Sequence, residues 1–154
     1  MEAPMRIVFE SPKDFEEDTI VVRCVSPDPR LVSMLRSFEA AQDGIVAFQE
    51  EKLVRIQYQD VFYFESIEEH VFAYCTHDVY EVKKKLFELE ELLSPLDFVR
   101  CSKSLVVNME KIDYLSPLFS GKLEAHLKNG EKLVISRKYV QNLRAKLGVS
   151  EDES

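Results

Sequence analysis

The sequence predicts a mostly β protein of the α+β class: an antiparallel β domain with short helices, preceded by a small strand and helix extension. Three observations predict it. From Ile45 onward, short runs of alternating apolar and polar residues are punctuated by turn-forming residues, the mark of half-buried antiparallel strands. Helical spacing of apolar residues appears in only three places, near 30–42, 84–93 and 136–148. No apolar run approaches the roughly 20 residues that cross a bilayer. The start, MEAPMRIVFESPKD, also lacks the basic and then apolar plan of a signal peptide, so a soluble, cytoplasmic protein is expected.

Taken in order, residues 5–10 (MRIVFE) and 19–25 (TIVVRCV) read as short strands around the acidic, turn-like SPKDFEED. SPDP is a break. Asp28 is a fitting N-cap with Pro29 at the first helical position, and Leu31, Met34, Leu35 and Phe38 then share one face of a helix over 30–42, which Gly44 ends. That helix is expected to pack on its own sheet. IVAFQ, LVRIQ and DVFYFES follow as a β meander, SIEEH is a polar connection, and HVFAYCT at 70–76 is the next strand. His77-Asp78 reads as a two-residue turn into a strand at 79–83, with a competing capping box, Asp78 and Glu81, that would start a helix at Val79 instead. A helix over about 84–93 carries Leu86, Leu89, Leu92 and Leu93 inward and stops at Ser94-Pro95. Later strands fall near 112–115, 122–128 and 132–136, the last two joined at Asn129-Gly130, a pair that predicts a type I′ turn. Ser136 opens a final helix with Val140, Leu143 and Leu147 inward and Gly148 as its stop. The chain thus divides into an extension at 1–44, a domain at 45–149 and an acidic tail at 150–154 expected to be disordered.

Charge is unevenly placed. The net charge is −8, yet residues 97–149 hold ten Lys and Arg against five Asp and Glu, while residues 1–51 hold five against eleven. A polyanion responds to the field within a Debye length of roughly 8 to 10 Å, so a basic segment can act on an acidic protein. Three cysteines, Cys24, Cys75 and Cys101, stand far apart without CxxC spacing, and His77 and His126 have no partners at metal-ligand spacing. No Gly-rich phosphate loop, no G-x-S-x-G elbow and no His, Cys and acid grouping supports catalysis, so neither an enzyme nor a bound cofactor is expected.

The chemistry concentrates in FVRCSKSLVVN, residues 98–108. Phe98, Leu105, Val106 and Val107 can anchor its ends by burial, whereas Arg100, Ser102, Lys103 and Ser104 resist burial without partners. Two cations and two hydroxyls over five positions, with no carboxylate among them, suit phosphate oxygens and base edges. Arg137-Lys138 forms a second basic cluster beside apolar neighbours. Cys101, between Arg100 and Lys103, reads as a buried structural thiol, although the flanking cations could make it oxidisable.

The pattern F-x-R-x-S-x-S-x-x-V-N, here Phe98, Arg100, Ser102, Ser104, Val107 and Asn108, resembles the central signature of the LytTR family of bacterial DNA-binding domains. VFYFES at 61–66 is similar to that family's strand ending in an acidic residue, and LKNGEKLVISRKYV at 127–140 to its closing hairpin. The resemblance covers roughly residues 45–148 and favours the hairpin over the helix at Val79. It implies an elongated, mostly β domain that enters successive major grooves of double-stranded DNA through three loops. The first loop would bring His70 to a base; the second Arg100, Ser102 and Lys103, with Lys103 on a base and Ser102 on phosphate; the third Arg137 and Lys138, one on a base and one on phosphate. Asn108 and Glu65 belong to the pattern as structural residues, Asn108 in a turn and Glu65 as a partner for a loop amide or cation.

About 44 residues precede the domain, too few for a doubly wound receiver, so the chain looks like the stand-alone LytTR regulators. That likeness implies transcriptional control, a homodimer on repeated half-sites and a membrane-bound inhibitory partner that meets the extension. The rival reading is a protein-interaction module whose basic half or sheet edge binds an acidic partner.

Overall fold

The structure, a computed structural model, describes residues 6–10, 19–42 and 44–148. The acidic tail, the SPKDFEED turn and Met5 of the first expected strand lie outside the described residues. Ten strands and three α-helices follow in the order α1 (Pro29–Gln42), β1 (Ile45–Gln49), β2 (Lys52–Ile56), β3 (Val61–Ile67), β4 (His70–Cys75), β5 (Val79–Val82), α2 (Leu86–Leu93), β6 (Phe98–Arg100), β7 (Leu105–Asn108), β8 (Ile112–Pro117), β9 (Leu123–Leu127), β10 (Lys132–Ile135) and α3 (Arg137–Leu147). The mostly β expectation holds, and Val79 opens a strand.

Two antiparallel sheets form. The larger runs β2-β1-β5-β4-β3-β7-β6 and the smaller β10-β9-β8. The expected meander of β1, β2 and β3 does not occur: β3 is followed by the consecutive partners β4 and β5, and the β1–β2 hairpin folds back to pair β1 with β5 through Ala47 opposite Val82. Alternation of apolar residues gives each strand its buried face but not its partner. Between β2 and β3 the chain passes through a turn at Tyr58–Asp60, where Tyr58 is buried edge-on to Phe98.

β3 is buried on both faces because a core covers each, and its register shift between Val61 and Tyr63 sets which side chains enter which. Val61 and Phe64 then enter one core with Ile45, Val106, Phe98 and the α2 residues Leu86, Leu89 and Leu93. Phe62 and Tyr63 enter a second core with Val99, Leu105, Val107, the small sheet's Ala125, Leu133 and Ile135, and Val140 and Leu143 of α3. Each fully buried leucine or valine contributes about 1.5 to 3 kcal/mol, so α3 is held chiefly by this second core. Leu147, expected inward, is 48% exposed as the last residue of the helix.

The extension departs further from expectation. Its helix forms, but α1 lies against α2 and the turn at 94–96 rather than on a sheet, with Ser37 buried and Met34 and Phe38 largely exposed. Residues 6–10 and 19–25 are not strands: they join no sheet, and Ile7, Phe9, Ile20 and Val21 are exposed. Val and Ile propensity makes a strand only where another strand supplies the ladder. No helix among the described residues is long and apolar enough to cross a membrane.

Candidate nucleic-acid interface

β6 ends at Arg100 and β7 begins at Leu105, so residues 101–104 must turn the chain within four positions. The turn is built from the inside. Arg100 is only 15% exposed, and its guanidinium donates from Nε to the Ser102 carbonyl at 2.7 Å, from Nη2 to the Lys103 carbonyl and from Nη1 to Glu90 Oε2 at 2.8 Å. Ser102 Oγ accepts from the Ser104 amide at 3.1 Å. Arg100 therefore lies beneath the loop as its brace, while Lys103 stands exposed at the tip. Cys101 is fully buried, and burial pushes its thiol up to about 12, the inert form.

Two backbone hydrogen bonds join this loop to its neighbours. The Ser66 amide donates to the Ser104 carbonyl at 2.8 Å, which holds the loop against the β3–β4 hairpin. At that hairpin Ile67 pairs with His70 across the turn residues Glu68 and Glu69. His70 is exposed, with Nδ1 3.4 Å from Glu81 Oε2. The Glu81 carboxyl is held below its ordinary range by the Lys83 ammonium, with His70 adding to the effect. On the other side, the Ser136 amide donates to the Cys101 carbonyl at 2.9 Å and the Ser136 hydroxyl reaches the same oxygen, so α3 begins beside the loop. Lys146 fixes the other end of α3 through the Phe98 carbonyl at 2.7 Å and the Ser94 carbonyl.

Of the residues expected to contact DNA, His70, Lys103, Arg137 and Lys138 are exposed, Ser102 is half-buried, and Arg100 is committed to the loop itself. Arg137 and Lys138 line a shallow hollow of about 680 Å³ with Ser120, Lys122, Ser136 and Gln141. A further basic run, Lys83-Lys84-Lys85, escaped the sequence reading. Val82 pairs with Val71, so the run starts beside His70, where Lys83 bonds Glu81 and sits 5.3 Å from the Phe48 ring. Three consecutive lysines were a visible signal; that the first of them lies beside His70 depends on the β4–β5 register.

Glu65 accepts from the Tyr74 hydroxyl at 3.0 Å. Asn108, 2% exposed, accepts from the Glu110 amide at 3.1 Å and donates to the Val61 carbonyl at 3.0 Å, fixing the turn after β7 to the start of β3. Ser116, His126 and Glu124 gather on the small sheet, but the hydroxyl and the carboxylate both approach His126 Nε2 at 3.0 Å. A relay requires them on opposite ring nitrogens. Among the described residues no group of three or more His, Cys, Asp or Glu could hold a metal ion.

The match to known proteins covers the domain that carries these loops. The family model of the LytTr DNA-binding domain matches residues 51–148. The sensory transduction proteins LytT of Enterococcus faecalis and Bacillus subtilis are each 28% identical, over 66% and 77% of this chain and 42% and 49% of their own lengths, so the chain spans less than half of either. A Staphylococcus aureus protein described as an uncharacterized HTH-type transcriptional regulator is 30% identical over 68% of this chain and 71% of its own. The LytTr DNA-binding domain of a Bacillus cereus protein described as a methyl-accepting/DNA response regulator shares the fold, with a TM-score of 0.64 and 24% identity over 68% of this chain and 95% of that domain. With the signature residues Arg100, Ser102 and Ser104 building its central loop and Asn108 the turn after β7, this chain belongs to the LytTR family of DNA-binding domains.

Proposed function

We propose that this chain is a transcriptional regulator that binds duplex DNA sequence-specifically through three loops set in a row on successive major grooves. The observation that carries the reading is the pair of backbone bonds, Ser66 to Ser104 and Cys101 to Ser136, which string the segments of His70, Lys103 and Arg137-Lys138 together. Lys103 and His70 read base edges, Ser102 meets phosphate, and Arg137 and Lys138 divide between base and phosphate. Arg100 acts as a positioning residue that presents Lys103. The helices α1, α2 and α3 are separated by strands, which favours loop recognition over an inserted helix-turn-helix.

The same reading places the protein in the cytoplasm as a homodimer on repeated half-sites, with no cofactor. The extension serves as a protein-protein surface for a second protomer or a membrane-bound inhibitory partner, which the exposed Ile7, Phe9, Ile20 and Val21 support. The test is a mobility shift on the DNA upstream of the protein's own reading frame. Wild type should bind with log affinity falling linearly in log salt at about 0.9 per neutralised phosphate. Lys103→Ala and Arg137→Ala should each weaken binding by roughly 1 to 3 kcal/mol without a change in melting temperature. Wild type that gives no shift at low salt would favour a protein-interaction module.

A further inference from the structure

The connection between β8 and β9 holds a feature that the three-loop reading leaves unused. Phe119 is 95% exposed at the tip of this connection, which the Leu118 amide closes by donating to the Lys122 carbonyl at 2.9 Å. Ser120 and Gly121 follow in the left-handed region, at φ 64° and 76°. A serine there is strained, and strain of this kind persists where the surroundings hold it and commonly marks functional loops. What holds it is α3: a Cβ at Gly121 would meet Arg137 Cγ and Cδ at 3.1 Å, so the loop is seated on the first residue of the helix. The residues on either side of the loop tip, Ser120 and Lys122, thus share one hollow with Arg137 and Lys138.

We infer that Phe119 is an apolar contact to DNA, a ring that packs against the base pairs at the end of the contact row, next to the step gripped by Arg137 and Lys138, and helps to bend the duplex. The inference rests on the DNA-binding reading. Two observations favour nucleic acid over a protein partner. The groups that line the adjoining hollow, Ser120, Lys122, Ser136, Arg137, Lys138 and Gln141, include two lysines, an arginine and two hydroxyls but no carboxylate, which suits phosphates. The apolar element beside them is one fully exposed ring next to the partly exposed Leu118 on a tight loop, smaller than the contiguous apolar centre of a protein-docking surface. Proteins that bend DNA press such apolar side chains onto base steps flanked by basic contacts.

The test uses the full chain and a duplex that the wild type itself selects from a random-sequence pool. Phe119→Ala should lower affinity about tenfold, since stacking on a base is worth that much, and should reduce the bend seen with circularly permuted fragments. The salt slope and melting temperature should stay at wild-type values, because the ring releases no counterions and makes little contact within the protein. Phe119→Trp should keep both affinity and bend. Phe119→Ala that binds and bends like wild type while Lys103→Ala does not would overturn this inference alone. So would loss of self-association by sedimentation with unchanged affinity per protomer, which would make the ring a protein contact. Wild type that selects no duplex would remove the DNA-binding reading itself, and this inference with it.

Discussion

Arg100 shows how far the role of one residue depends on what surrounds it. Read along the chain it is a cation in a basic cluster; in the fold its three donor positions are spent on two loop carbonyls and on Glu90. A guanidinium suits this because its planar fork spreads donors over three nitrogens and reaches acceptors set apart, whereas an ammonium must serve every acceptor from a single point. We predict that Arg100→Ala lowers stability by about 2 to 3 kcal/mol, the cost of leaving carbonyls without their charged donor. Arg100→Lys should restore less than half of that. Urea denaturation checks both, and DNA affinity should fall in parallel with stability, unlike the Lys103→Ala effect. A variant with full stability and lost binding would instead make Arg100 a direct contact. Cys101, its neighbour, was legible as a structural thiol because small apolar-like residues between buried positions are usually inside.

Among the elements, turns departed most from expectation. Asn129-Gly130 does not form a type I′ turn: only Gly130 has positive φ, at 92°, and its amide donates to the Leu127 carbonyl while Asn129 Oδ1 accepts from the Glu131 amide. This is a type I turn followed by a glycine bulge, the next commonest hairpin closure. The type I′ signature falls on Glu68 and Glu69, with φ of 49° and 70°, where nothing in the residue types announces it. Pairing of Ile67 with His70 leaves two residues for the loop, and the right-handed twist of the strands then demands a primed turn. Each glutamate is held in a conformation that costs an L-residue roughly 1 to 2 kcal/mol. The double substitution Glu68→Asn, Glu69→Gly should therefore raise stability by about 1 to 2 kcal/mol, read as a shift of the urea midpoint at constant slope. An unchanged midpoint would show the turn to be relaxed.

Over the whole molecule, the acidic charge gathers in the extension, while neither core contains a residue from it among the described residues. Residues 6–10 and 19–25 join neither core, so removing residues 1–26 should leave the melting temperature within a few degrees and DNA affinity intact. If the extension is the protein-protein surface proposed for it, the same truncation should change the oligomeric state by sedimentation and release the protein from regulation. A truncated chain that assembles and is regulated like the full one would refute that role. The acidic extension and the basic second half also predict weak binding to random duplex, since the acidic part opposes sticking that the loops do not direct.

The sequence by itself determined the elements and the chemistry available to them. Apolar periodicity places most strands and helices of the domain, because each must turn one face to a core, and the spacing of Arg100, Ser102, Ser104 and Asn108 marks the central loop and the turn after β7. Only the tertiary structure decided who meets whom. The β1–β5 pairing, the two cores that cover β3 on both faces, the withdrawal of Arg100 beneath its loop and the seating of Gly121 on Arg137 all depend on contacts between residues distant in the chain. A local pattern records which face a residue turns inward, but the partner it finds there is selected by packing across the whole fold.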